Sequence, residues 1–298
     1  MCRVGAARRK LKRPTSDRHT KFRYALGMKS GNSRPPETAR RLLEAQYRES
    51  LATVTERMFT EASIVAGQRV LDIGTGGGET ALIAAERVGA TGWVLASDVS
   101  MDAMHGLAER LRAQPQALPI ALEAVAAESL DVKPGSFDVV LARNSVMYFT
   151  DLPAALANIR AALRVGGRFV ASLYGPLERE PFHAVPIAAV RRRGPIGEPY
   201  PDYVQAFRVG AEDVERALRD AGFQAVARYV VPTARSFPSV ATAIDALRLS
   251  RSLAQLLSVL PEGQREDAWT GIESGFRKFE SASGLRIPGE QVILAATA

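Results

Sequence analysis

One cysteine in 298 residues, Cys2, excludes an internal disulfide and suits a reducing compartment. Three histidines, scattered along the chain, leave too few ligands for a structural zinc site. No apolar run approaches the ~18 residues that a membrane-spanning helix needs. The expectation is a cytoplasmic protein without a membrane span. The body of the chain also lacks a surplus of positive charge, although the net charge is +7. Residues 1–33 hold ten Lys/Arg and one acid, which leaves 29 bases against 31 acids in the remainder. A body so near neutrality offers no basic face for phosphates, which argues against a nucleic-acid partner. The basic tail, with Arg8-Arg9-Lys10 and Lys12-Arg13, has three readings. It is a solvated, disordered segment, a translation-start artefact with Met28 as the alternative start, or an Arg-rich, acid-poor transit peptide that lacks an apolar helical face.

What the chain does have is one highly organised stretch, Val70-Leu71-Asp72-Ile73-Gly74-Thr75-Gly76-Gly77-Gly78-Glu79-Thr80. The apolar run 69–73 reads as a buried strand and residues 80–88 as a helix. Three glycines at i, i+2 and i+4 stand between them. Strand, glycine loop and helix form the first turn of a Rossmann-like sheet. Glycine lets the chain turn sharply and lets a ligand touch the backbone where a Cβ would clash. The free N–H groups of the helix start favour a negative or electron-rich ligand. Dinucleotide sites use G-x-G-x-x-G for a pyrophosphate. Here the third glycine comes one residue early, and Glu79 takes the place of the dinucleotide glycine.

The pattern Asp72-x-Gly74-x-Gly76-x-Gly78 resembles motif I of the class I S-adenosylmethionine (SAM) methyltransferases. SAM carries a cationic amino group and a sulfonium, so an acid at the strand tip is useful. The stretch 91–100 reads as a second buried strand ending in an acid, Asp98, 20 residues after Gly78; an acid there can accept both ribose hydroxyls of an adenosine. Ser100 caps a helix over 101–113, and Val99 and Met101 are placed to flank the adenine. A third strand spans 119–126. The following Ala126-Ala127-Glu128 occupies the site of the family's Asp-Ala-Glu-like motif, with Ala126 in place of the Asp; the backbone at Ala127 remains available to the adenine edge. Gly135-Ser136-Phe137-Asp138-Val139-Val140 opens a fourth, central strand and resembles the family's motif IV. A helix over 152–163 and Leu163-Arg164-Val165-Gly166-Gly167-Arg168 follow, with the two glycines expected as helix C-cap and turn before a fifth strand over 169–174.

Residues 65–175 therefore resemble the ubiquinone/menaquinone C-methyltransferase-like (methyltransferase type 11) branch of that family. The resemblance implies an α/β fold: a Rossmann-like, seven-stranded, mainly parallel sheet with helices on both faces and an antiparallel last strand. It implies SAM as cofactor, held by Asp72, Gly74, Thr75, Gly76, Gly78, Asp98, Val99, Met101, Ala127 and Glu128. Arg143, at the end of the fourth strand, is expected near the methionine moiety, through its backbone or side chain.

The remainder is less family-like. Residues 36–63 read as one broken helix or two, either packed on the core or forming a lid (34–64) with Tyr47 towards the ligands. Residues 176–208 read as a long irregular loop at the acceptor mouth. A helix over 210–222 and a sixth strand over 225–231 complete a core of 65–238. Helices near 239–259 and 263–281 form an insertion (239–284), read as a roof or a homodimer contact, before the last strand in 285–298. An apolar roof favours a small, largely apolar acceptor. His183, Tyr148 and Tyr47 are the candidates for a base, or else line the pocket. The activity expected is methyl transfer to C, O or N of a small molecule. The alternatives are a non-methylating enzyme such as a cyclase, or an interaction protein with a degenerate SAM site.

Overall fold

The computed structural model describes residues 37–298; the basic tail, Cys2, Met28 and Pro36 lie outside the described residues. Two helices, α1 (Glu37–Ser50) and α2 (Ala52–Ala62), precede the sheet. The alternating part runs β1 (Arg69–Ile73), α3 (Glu79–Val88), β2 (Trp93–Ser97), α4 (Met101–Arg112), β3 (Ile120–Glu123), β4 (Phe137–Arg143), α5 (Leu152–Ala162) and β5 (Leu163–Tyr174). Then come α6 (Pro181–Arg191), α7 (Asp202–Gln205), α8 (Ala211–Asp220), β6 (Gln224–Phe237), α9 (Val240–Leu247), α10 (Arg251–Leu257), α11 (Glu262–Arg277), the short β7 (Glu280–Ser281) and β8 (Gly284–Thr297).

The strand order is β3-β2-β1-β4-β5-β8-β6, with β7 paired on β8. β1 to β5 pair in parallel, and β8 runs antiparallel to both β5 and β6. β1, β2 and β4 are buried on both faces, as their near-continuous apolar sequences require. Alternate strand residues feed two cores. Leu71, Val140, Phe169 and Leu294 face α5 and α8 on one side. Val70, Val139, Leu141, Val170 and Ile293 face α2, α3 and α4 on the other. Order reverses between β1 and β4, so the crevice for a ligand lies at their carboxyl ends.

Four expectations are corrected. The stretch 176–208 is not an irregular loop: Pro181 opens α6 in its first turn and α7 follows, and both bury apolar side chains. Gly166 and Gly167 lie within β5 rather than capping a helix, since Leu163 already takes extended backbone and Gly166 donates its N–H to the Ala298 carbonyl. The span 239–259 is two helices, because Ser250 accepts from the Leu253 amide and starts α10 afresh. The sixth strand reaches well past 225–231, to Phe237, and the last strand fills almost all of 285–298. Their outer halves, 231–237 and 285–291, pair as an antiparallel arm. The arm carries a third core, in which Phe237, Leu285 and Ile287 pack with α6, α9, α10 and α11.

Candidate active site

β1 delivers Asp72 to the strand tip, where it is fully buried. Its Oδ2 accepts hydroxyl hydrogen bonds from Thr75 and Thr80, each at 2.6 Å. Its Oδ1 is buried without a partner among the described residues. Burial raises its pKa, against the lowering pull of the two threonines and of Arg143. A carboxyl oxygen left unsatisfied inside a fold calls for a donating or cationic ligand.

Gly74, Gly76 and Gly78 all have positive φ, of 66°, 51° and 78°. Their reasons differ. A Cβ on Gly74 would overlap the side chain of Ser145, which follows β4 and donates to the Ile73 carbonyl at 3.0 Å. A Cβ on Gly78 would overlap Leu107 of α4. A Cβ on Gly76 would meet nothing within 4 Å. Two of the glycines thus serve packing, and the middle one leaves an open cradle. The Thr75 amide donates to the Ser97 carbonyl at 3.0 Å, which ties the loop to β2.

Asp98 stands beside this cradle. Its Oδ2 accepts the Gly76 amide and its Oδ1 the Ser100 amide, both at 2.8 Å. Each oxygen keeps a further lone pair for a hydroxyl. Val99 and Met101 next to it are 72% and 54% exposed. Such an apolar pair at a strand tip is a surface for a flat ring. Ala127 is buried in a 3-10 turn, Ala127–Ser129, held by Asn158, whose amide donates to the carbonyls of Ala127 and Glu128.

Two side chains expected at the cofactor are committed elsewhere. Glu128 Oε1 accepts the amides of Thr150 and Asp151 and the Thr150 hydroxyl. Burial works to raise its pKa, but these donors hold it below the usual carboxylate value. The Arg143 guanidinium donates to Glu79 at 2.6 Å and to Thr55 at 2.8 Å, locking the end of β4 to α3 and α2. The sequence missed Asn144, which follows it with φ 52° and a buried side-chain N–H group without a partner among the described residues. A non-glycine residue in the left-handed region at the switch point marks a constrained site.

The three candidates for a base, His183, Tyr148 and Tyr47, come together in one cavity of about 290 Å³. Tyr174, Phe182, Tyr203 and Arg235 line it with them. Tyr174 is the last residue of β5, next to β4 in the sheet, so the cavity lies against the same carboxyl-end crevice as the glycine loop. His183 sits on α6 inside an aromatic cage: ring centroids lie 4.5 Å from Tyr174, 5.0 Å from Tyr203 and 5.1 Å from Phe207. Its Nδ1 is 3.3 Å from Glu180 Oε2, and Glu180 Oε1 accepts the Glu290 amide at 2.6 Å. Burial, helped by Arg235, lowers the His183 pKa; Glu180 opposes this without reversing it. The imidazole is therefore neutral near pH 7. Burial also raises the phenols of Tyr174, Tyr148 and Tyr203, so they act as hydrogen-bond donors.

A parallel sheet with this strand order, a DxGxGxG turn and an acid on the second strand defines a Rossmann-like nucleoside-cofactor fold. The profile of the family described as "Methyltransferase domain" matches residues 70–167. A ubiquinone biosynthesis O-methyltransferase of Bordetella parapertussis is 31% identical over 172 residues, covering 55% of this chain and 67% of that protein. A ubiquinone/menaquinone biosynthesis C-methyltransferase of Cupriavidus metallidurans is 30% identical over 129 residues, covering 41% of this chain and 52% of that one. The solved structure of a putative methyltransferase from an antibiotic biosynthesis pathway of Anabaena variabilis shares the fold, with a TM-score of 0.59 at 14% identity. It covers 85% of this chain and 100% of its own. The chain belongs to the class I SAM-dependent methyltransferases, whose cofactor is SAM. It spans about half the length of the first curated relatives it matches, 41% to 52%. No helix of the described residues is long and apolar enough to cross a membrane.

Proposed function

We propose that the chain methylates a hydroxyl oxygen of a small molecule held in the Tyr47–His183 cavity. The carrying observation is the His183–Glu180 pair, a neutral imidazole anchored through Nδ1 and so leaving Nε2 to the cavity. In this reading the open cradle at Gly76, the orphaned Asp72 Oδ1, Asp98 and the Val99–Met101 surface hold the cofactor. They support a working SAM site over a degenerate one. Bound there, SAM supplies an electrophilic methyl group on a sulfonium. The chain's own part is to orient the acceptor, exclude water and take up the hydroxyl proton on His183 Nε2. Tyr148 and Tyr174 donate to acceptor oxygens. α1 and the helices α9–α11 close the chamber as a lid. A single cysteine suits the cytoplasm as the place of work.

Calorimetric titration with SAM and S-adenosylhomocysteine tests the cofactor half. Asp98→Ala is expected to weaken binding about tenfold or more, the worth of a charge-assisted hydrogen bond. Unchanged affinity in that variant would remove the site assignment. Transfer of a labelled methyl group to a phenol panel tests the other half and separates a methyltransferase from a cyclase.

A further inference from the structure

The cavity contains a cation that its surroundings do not neutralise. Arg235 lies on the outer arm of β6, half buried, with its guanidinium 4.1 Å above the Phe182 ring and 5.3 Å from the Tyr47 ring centre. Stacking uses the faces of the guanidinium and leaves the N–H groups at its edge for another partner. Among the described residues no carboxylate pairs with it and no hydrogen bond holds it, whereas Arg143, Arg164, Arg228 and Arg248 all have ion-pair partners. Of the other charged groups at the cavity, Asp202 lies within electrostatic reach of Tyr148 and forms no ion pair with Arg235. Glu180 is bound to His183 and to the Glu290 amide. The walls are rings: Tyr47, Tyr148, Tyr174, Phe182 and Tyr203. At about 290 Å³ the space is at the small end for a ligand pocket, sized for one or two rings.

We propose that the acceptor is a phenolic acid: a planar aromatic molecule whose carboxylate pairs with Arg235 while its hydroxyl meets His183. This rests on the methyltransferase reading and names the substrate class of the same cavity. A carboxylate matches the planar fork of Arg235 edge-on, and the aromatic body fills the space between the tyrosine faces. Arg235 is then the specificity residue, since a neutral ester offers its fork one carbonyl acceptor and no charge, in place of a bidentate, charge-assisted pair.

The test is calorimetric titration of the full chain, saturated with S-adenosylhomocysteine, with 4-hydroxybenzoate, 4-hydroxycinnamate and the methyl ester of each. The acids are expected to bind at least tenfold tighter than their esters. Arg235→Met is expected to abolish that preference with S-adenosylhomocysteine affinity unchanged, and Arg235→Lys to keep part of it. Equal binding of acid and ester, no binding of either, or tighter binding of the amine tyramine would overturn the proposal while leaving the cofactor site standing. Failure of S-adenosylhomocysteine itself to bind would instead overturn the methyltransferase reading beneath it.

Discussion

Single side chains carry two opposite electrostatic tensions. Asp72 is a buried carboxylate whose folded pKa is raised, chiefly by desolvation. Between the ordinary value and the raised one the folded state binds more protons than the unfolded state, so stability falls as pH rises through that window. Asp72 in its ionised form thus costs the ligand-free fold stability at neutral pH. Asp72→Asn keeps an oxygen for Thr75 and Thr80 and removes the charge. The ligand-free thermal midpoint is expected to hold or rise, while the midpoint gain from saturating SAM falls by more than half. A large drop without ligand, with the SAM gain intact, would refute this. His183 runs the other way. Its folded pKa is lowered, so below about pH 6.5, the ordinary imidazole value, the unfolded chain takes up protons that the fold refuses. Its share of stability is complete above that pH and is lost as pH falls towards the folded pKa. Acid-side thermal melts are expected to steepen in wild type and flatten in His183→Gln. In turnover, the same variant is expected to lose about 10²–10⁴-fold in kcat, with the wild-type acid limb lying below the ordinary imidazole range.

At the scale of elements, legibility followed length and repetition. The buried strands β1, β2 and β4 and the glycine loop could be read because their apolar runs are bounded by glycine and acid at fixed spacing. α6 was missed because Pro181 and Pro186 look like loop signals, yet one suits a first turn and the helix carries the other inside it. The outer arm of β6 and β8 was missed because Pro232, Gly289 and Pro288 interrupt its pattern. With it went Arg235, for which the sequence offers no signal. Asp72 and Asp98 stand out in the sequence as candidates because chemistry and spacing coincide; Glu180 does not, since its partner is found only after α6 folds. The three motif glycines look equivalent in sequence and are not in space. Gly74→Ala forces a Cβ into Ser145 as well as a left-handed alanine, and is expected to cost about 2–4 kcal/mol of stability. Gly76→Ala meets open space and bears only the strain of its φ, about 1–2 kcal/mol, but projects into the open cradle proposed for the cofactor. Urea melts and SAM titrations of the pair should therefore rank oppositely: Gly74→Ala the less stable, Gly76→Ala the weaker binder per unit of stability lost. Identical rankings would mean that both glycines serve packing alone.

Across the molecule, two cores sandwich the parallel sheet and a third stands on the arm of β6 and β8. The first two flank the crevice at the strand carboxyl ends, the proposed cofactor site; the third supplies the far wall of the Tyr47–His183 cavity, the proposed acceptor site. The sheet half was legible because its cores repeat one strand-and-helix unit, and the half around the Tyr47–His183 cavity was not because its helices come from three separated segments of chain. This division predicts separable functions. Phe276 of α11 is fully buried and stacks on Phe182, 6.0 Å between centroids, and Phe182 in turn supports Arg235. Phe276→Leu removes ring atoms from the third core without touching either ligand site. A loss of about 1–2 kcal/mol is expected from the cavity left behind, less than full truncation to alanine would cost. The wall behind Arg235 should loosen with it. Binding of 4-hydroxybenzoate to the S-adenosylhomocysteine complex is then expected to weaken several-fold, while affinity for S-adenosylhomocysteine stays within twofold of wild type. Equal weakening of both ligands would mean that the third core also shapes the cofactor crevice and that the two halves respond as one.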